Sequence, residues 1–289
     1  MLTMRIAYQG EPGAYSEAVA RQIKPDAQLV PCRSFEDVFD AVTGGPAHYG
    51  VLPIENSVGG SIHRNFDLLL EHHLPIVGEA ELPVVHHLLA LPGTTMAHVR
   101  RIYSHPQALA QCDRFLRSLK GVEVIATYDT AGSAKLIADE KLGDAAAIAS
   151  ARAAEVFGLV ALHSSIQDYA HNVTRFLVIG PRPLTDEPPD KTTIVFTLSN
   201  EPGALFKALA VFALRNIDLT KLESRPVPGR RWEYLFYADL ASPRDSLPCV
   251  RALTHLAEFA PMLRVLGSYP SSKAVPSDAP VAQTFERLA

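Results

Sequence analysis

The sequence predicts an α/β fold in two parts, a layered α/β unit over residues 4–180 and a smaller ferredoxin-like βαββαβ unit over residues 192–269. Three observations predict it. Short apolar runs alternate with amphipathic stretches through the first part, as in a sheet covered by helices. Residues 181–191 then form a polar, proline-rich linker, ending Leu184-Thr185-Asp186-Glu187-Pro188-Pro189-Asp190-Lys191. Beyond it the order of elements changes to strand, helix, strand, strand, helix, strand.

Each element has its own reason. Ile6-Ala7-Tyr8 is a first strand, followed by a Gly/Pro turn and a helix over Ala14–Gln22. Ser34–Val42 reads as an amphipathic helix: Ser34 caps it, Asp37 sits in the first turn, and Phe35, Val38, Phe39 and Val42 share one face. Tyr49–Ile54 is a strand and Asn65–Glu71 a helix. Arg100–Tyr103 is a strand, and Pro106 opens a single helix with Leu109, Cys112, Phe115, Leu116 and Leu119 on its apolar face. Strand Val122–Ala126, helix Thr130–Lys141, strand Ala145–Ala149 and helix Ser150–Phe157 follow. This alternation predicts parallel strands. The second unit reads as strand Thr192–Leu198, helix Gly203–Arg215, strands Asp218–Arg225 and Trp232–Leu240, helix Leu247–Phe259 and strand Leu263–Ser268. The tail, residues 270–289, is rich in Pro, Ser and Ala and is expected to be disordered.

Composition narrows the function. A net charge of −4 argues against nucleic acid or an anionic membrane as partner. An anionic small substrate would then need a locally basic site. Met1-Leu2-Thr3-Met4-Arg5 carries no apolar signal region, and no apolar run approaches the roughly 20 residues of a membrane span. Cys32, Cys112 and Cys249 are too scattered for a disulfide framework or a zinc site. The expected compartment is the cytoplasm. His72-His73 and His86-His87 are adjacent pairs, which do not share a helix face, so no metal site is expected. Gly10-Glu11-Pro12-Gly13 lacks the Gly-Lys-Ser/Thr of a phosphate loop.

Polar residues recur where strand gives way to helix: Glu55-Asn56-Ser57, Ser104-His105, Asp129-Thr130 and Ser150. Helix N-termini present unpaired N–H groups, and ligands in open α/β sheets bind beyond the carboxyl ends of strands. These residues are either caps or the wall of a carboxylate-binding cleft.

Five segments resemble the prephenate dehydratase family: Ala7–Ser16, Pro53–Ser57, Ser104–Leu109, Tyr128–Ala131 and Asn172–Phe176. They stand in family order across residues 5–179. Pro202-Gly203-Ala204-Leu205 and Glu223-Ser224-Arg225-Pro226 resemble the ACT domain of the same family. Gly59-Gly60-Ser61-Ile62-His63-Arg64-Asn65 is similar to plant-type members, many of which prefer arogenate.

The resemblance implies a two-lobed catalytic domain shaped like a type 2 periplasmic binding protein, with lobe 1 over 5–76 plus 168–180 and lobe 2 over 77–167, followed by the ACT domain. It implies a hydro-lyase that expels carbon dioxide and water from prephenate, leaving phenylpyruvate, with arogenate as alternative or second substrate. No metal or organic cofactor is implied. Thr174 is the essential catalytic residue by resemblance, with Glu55 and His105 as alternative proton donors. Arg175 suits a bidentate carboxylate pair. Asn56, Ser57, Ser104, Gln107, Gln111, Thr130 and Phe176 complete the expected substrate site. Asn200, Gly203, Ala204 and Leu205, with Glu223 and Ser224 across an interface, are the expected phenylalanine site of paired ACT domains in a homodimer or homotetramer. The competing reading is a non-enzymatic solute sensor on the same fold.

Overall fold

A computed structural model of the chain describes residues 3–227, 229 and 233–272. Trp232 of the last expected hairpin, and the expected disordered tail from residue 273 onward, lie outside the described residues.

The first sheet begins with β1 (Arg5–Gln9), β2 (Gln28–Cys32) and β3 (Tyr49–Asn56), all parallel. Helices α1 (Tyr15–Ile23) and α2 (Phe35–Thr43) connect them. The Ser34 cap is realised as a full capping box: its hydroxyl accepts from the Asp37 N–H, and the Asp37 carboxylate accepts from the Ser34 N–H, both at 3.1 Å. Short β4 (Gly60–Ser61) folds back on β3, and α3 (His63–Glu71) leads to β5 (Ile76–Pro83).

The chain then crosses to a second sheet. It contains β6 (His87–Ala90), β7 (Arg101–Ser104), β8 (Glu123–Ala126), β9 (Ala145–Ala149) and β10 (Val160–His163), in the order β10-β6-β9-β7-β8. Its helices are α4 (Pro106–Gln111), α5 (Asp113–Ser118), α6 (Thr130–Asp139) and α7 (Ala151–Phe157). The single helix expected after Pro106 is broken at Cys112, where φ is −116° and ψ 25°. The Gln111 carbonyl accepts from the Asp168 N–H at 2.7 Å, so the crossing segment takes a bond that helix continuation would need.

The chain returns as β11 (Val173–Ile179), antiparallel to both β3 and β5. Two expectations are corrected here. Both sheets are mixed, because a strand returning from the other lobe runs against its neighbours, and β6 likewise runs against β9 and β10. Strand β5 pairs along its length with β11, so lobe 1 extends to Pro83 and does not end at residue 76.

The C-terminal unit has β12 (Lys191–Thr197), α8 (Ala204–Ala213), β13 (Leu219–Pro226), β14 (Tyr234–Leu240), α9 (Leu247–Ala257) and β15 (Met262–Tyr269). Its strands lie in the ferredoxin-like order β13-β14-β12-β15. Alternation divides them between two cores. Ile194, Phe196 and Ala238 face α8 and α9, while Val195, Tyr237 and Leu266 join Phe66, Leu68 and Leu69 of α3. The unit also extends the first sheet, through parallel pairing of Gly267 with Ile76. A Cβ at Gly267 would lie 2.2 Å from the Ile76 carbonyl oxygen, so the join requires glycine there.

Candidate active site

A cleft of about 420 Å³ lies between the lobes. Asn56 at the end of β3, and Thr174 and Phe176 on β11, line it from lobe 1; His105, Gln107, Gln111, Asp129 and Thr130 line it from lobe 2. The lobes touch beside it. The Ser150 hydroxyl caps α7 and donates to the Gly13 carbonyl at 2.7 Å. Gly13 has φ +93°, and a Cβ there would lie 2.7 Å from the Ala153 Cα.

A chain of buried polar groups runs behind the cleft floor. Asn56 Nδ2 donates to Thr174 Oγ1 at 2.9 Å and to Asn172 Oδ1 at 2.6 Å. Asn56 Oδ1 accepts from the N–H groups of Val58 and Gly59 and from Gln111 Nε2. Gln111 Oε1 accepts from Asn172 Nδ2 at 2.9 Å and lies 2.9 Å from His86 Nε2. Gln111 Oε1 offers only lone pairs, so His86 Nε2 carries the proton, while Nδ1 lies 3.0 Å from the Tyr15 hydroxyl, which donates to the Val85 carbonyl at 2.7 Å. Burial holds the His86 pKa below its ordinary value, which favours this neutral tautomer. Thr174 Oγ1 therefore receives a hydrogen bond from behind, and its own proton is free to point into the cleft. Thr174 is 7% exposed and lines the cavity.

His105 caps α4: its Nδ1 accepts from the Gln107 N–H at 3.2 Å. Burial lowers its pKa, against a smaller upward pull from Asp129. The neutral ring keeps its proton on Nε2, a hydrogen-bond donor.

Four expected site residues are placed elsewhere. Alternation along β3 and β11 sends Glu55 and Arg175 to the face opposite Asn56 and Thr174. Glu55 pairs with Lys221 at 3.0 Å. Arg175 bonds Glu79 at 2.7 Å and Asp239 at 2.6 Å, tying lobe 1 to the C-terminal unit. Its pKa is raised despite burial, by Asp239, Tyr269 and Glu79. Ser57 donates to the His171 carbonyl at 3.1 Å and accepts from the Val173 N–H at 2.9 Å, which ties the turn after β3 to β11. Ser104 is fully buried and donates to the Ile148 carbonyl at 2.6 Å, joining β7 to β9. The basic site expected for an anionic substrate is also corrected: among the described residues, no Lys or Arg lines the cleft. The cleft instead presents neutral side chains and the helix starts at Thr130 on α6 and Tyr15 on α1.

His86 and Tyr15 line the cleft and Asn172 lies behind its floor without having been named as candidates, while Asp129 had been named only as a cap or cleft-wall residue. Asn172 and Asp129 stand inside recognised segments, a signal that was there to use. His86 gave none, because a strand-edge histidine becomes informative only once Gln111 is folded against it.

In the C-terminal unit, Gly203 adopts φ +79° at the start of α8, beside exposed Asn200 and Leu205 and half-buried Ala204. The Glu223 carboxylate is turned toward lobe 1: it accepts from the Ser61 hydroxyl at 2.8 Å and lies 3.2 Å from His63 Nε2. Adjacent Ser224 sits in the β13–β14 ladder opposite Phe236.

The prephenate dehydratase family model matches residues 6–183, and an ACT domain model matches 192–248. The chain is 52% identical to arogenate dehydratase/prephenate dehydratase 2 of Arabidopsis thaliana, over 92% of this chain and 73% of that protein. A solved prephenate dehydratase from Arthrobacter aurescens, in complex with L-Phe, superposes with a TM-score of 0.84 at 32% identity, covering 92% of this chain and 90% of that one. GqqA, described as a novel type of quorum quenching acylase, superposes with a TM-score of 0.82 at 39% identity, covering 93% of this chain and 98% of that one. The chain belongs to the prephenate dehydratase family. One expectation is overturned: the Arabidopsis relatives, including two more at 50% identity, are chloroplastic, against the cytoplasmic location expected from sequence.

Proposed function

We propose that this family member is a decarboxylating dehydratase that converts prephenate to phenylpyruvate and accepts arogenate, which gives phenylalanine. In either substrate the ring carboxylate leaves as carbon dioxide. The electron pair of that C–C bond passes through the ring and expels the hydroxyl at the opposite carbon. The hydroxyl takes up a proton and departs as water, and the aromatic ring supplies the driving force.

The cleft favours this chemistry by positioning and by directed dipoles. The observation that carries the reading is Thr174, whose oxygen is held by Asn56 Nδ2 so that its proton is offered to the cavity. Thr174 hydrogen-bonds the leaving oxygen, and His105 Nε2–H is the second donor from the other lobe. A positioned donor of this kind supplies about 10²–10⁴-fold. Gln107, Gln111, Thr130 and the start of α6 hold carboxylates, and Phe176 packs on the ring. A cleft without Lys or Arg avoids over-stabilising the ring carboxylate that must leave.

The ACT unit is the seat of phenylalanine regulation in this reading. Asn200, Gly203, Ala204 and Leu205 offer backbone groups to the effector carboxylate, and Glu223 and Ser224 of a second subunit close the site in a dimer or tetramer. The named complex of the Arthrobacter relative with L-Phe supports a small-molecule effector.

The test is product identification. Purified protein is given prephenate and arogenate separately. Phenylpyruvate from the first, or phenylalanine from the second, is expected. Silence with both substrates refutes the reading and favours the sensor.

A further inference from the structure

We propose that Asp129 receives the ammonium group of the amino-acid substrate, arogenate, and so makes the cleft prefer it over the keto acid prephenate. This rests on the dehydratase reading and deepens it. The two substrates share the ring, the hydroxyl and both carboxylates. They differ where one carries a positively charged amine and the other a neutral carbonyl, so discrimination has to come from charge recognition on that arm.

Among the described residues, Asp129 is the one carboxylate that lines the cleft, and no Lys or Arg lines it. Its Oδ1 is used: it accepts from the Gly132 N–H at 2.5 Å and caps α6. Its Oδ2 is buried and has no hydrogen-bond partner. Burial is the largest influence on this carboxyl and raises its pKa, while the backbone N–H groups of Gly132 and Glu11 pull the other way. Lys135, a neighbouring cation, is already paired with Glu11 at 3.0 Å. A buried carboxylate oxygen left unpaired is costly, and a ligand that supplies a charged donor removes that cost.

The surroundings close this oxygen off from solvent, and the cleft that Asp129 lines is the side from which a donor would reach it. Gly10, with φ +114°, passes so close that a Cβ there would lie 3.8 Å from Asp129 Oδ2. The Tyr128 ring covers the first turn of α6, and its hydroxyl donates to Glu11 at 3.4 Å, so this end of the cleft is walled. Asp129 comes from lobe 2 and Thr174 from lobe 1. The substrate hydroxyl and side arm leave opposite ends of the ring, so a substrate that spans the cleft presents its hydroxyl to Thr174 and its arm to Asp129. The same carboxylate faces a keto acid with no compensating positive charge, and discrimination by repulsion is added to discrimination by attraction.

The test is Asp129→Asn assayed with both substrates beside the wild type. Asparagine keeps the Oδ1 cap on the Gly132 N–H, so the fold is retained, and a melting curve checks this. Arogenate kcat/KM is expected to fall by about 10- to 100-fold, the range of a lost charge-assisted hydrogen bond, mainly through KM. Prephenate kcat/KM is expected to change far less, so that the ratio of arogenate to prephenate kcat/KM falls by that factor. Equal losses on both substrates, a loss confined to kcat, or an unchanged ratio would overturn the assignment. So would a wild type that turns over prephenate alone. A wild type active on neither substrate removes the dehydratase reading itself, and this inference with it.

Discussion

At the scale of single residues, adjacent positions on one strand do opposite jobs. Thr174 faces the cleft, while Arg175 faces away into a nearly closed ion network with Glu79, Asp239 and Lys191. The segment Asn172–Phe176 marked both residues as functional, and their types suited substrate contact equally well. The side each takes is fixed by pairing of β11 with β3 and β5, which no local pattern contains. Glu79 and Asp239 are only 2% and 4% exposed, so losing their partner leaves buried charge uncompensated. Arg175→Ala is therefore expected to cost about 3–5 kcal/mol of stability, read by chemical denaturation. A variant as stable as the wild type would return Arg175 to the substrate site. Histidine gives a second outcome at this scale. Burial holds His86, His87 and His105 below 6.5 in the folded protein. The unfolded chain then binds more protons than the folded one as pH falls below about 6.5, so stability is full above that value and declines beneath it. Denaturation midpoints measured between about pH 7.5 and 5.5 should fall, with a shallower slope in His86→Gln.

At the scale of elements, periodicity carried most of the reading. The α2 capping box and the strand order of the C-terminal unit were legible from local pattern. The break between α4 and α5 was not, because it follows from a bond to Asp168 across the lobe crossing. Strand β5 was missed for a similar reason: its residues complete a sheet only when β11 returns beside them. The turn before α1 shows what an element does for the site. Gly13 sits at φ +93° against the Ala153 backbone, where a side chain has no room. Gly13→Ala should hold the lobes apart on that side and raise KM at least several-fold with a smaller change in kcat. Unchanged kinetics would mean that the lobe contact does not shape the cleft.

At the scale of the whole molecule, the C-terminal unit is docked and not merely tethered. The polar linker read from sequence suggested independence, yet β15 continues the sheet of lobe 1 and Tyr237 donates to the Phe66 carbonyl at 2.9 Å. Lys221 is the hub nearest the cleft. It pairs with Glu55 and Glu223, bonds Ser61 and stands over the Phe66 ring. Glu55 neighbours Asn56, which holds Thr174, so the ACT unit sits two residues from the Asn56–Thr174 hydrogen bond. Lys221→Met is expected to weaken the effect of phenylalanine on turnover several-fold while calorimetry still finds phenylalanine bound; an unaltered response would put the coupling elsewhere. The account rests most directly on Thr174, and the decisive measurement is kcat of Thr174→Ala set beside its melting temperature. The structure predicts a melting temperature near that of the wild type and a kcat lowered by about 10²–10⁴-fold, with part recovered in Thr174→Ser. A folded Thr174→Ala enzyme with near-normal turnover would contradict the assignment of the leaving-group donor and the site built around it.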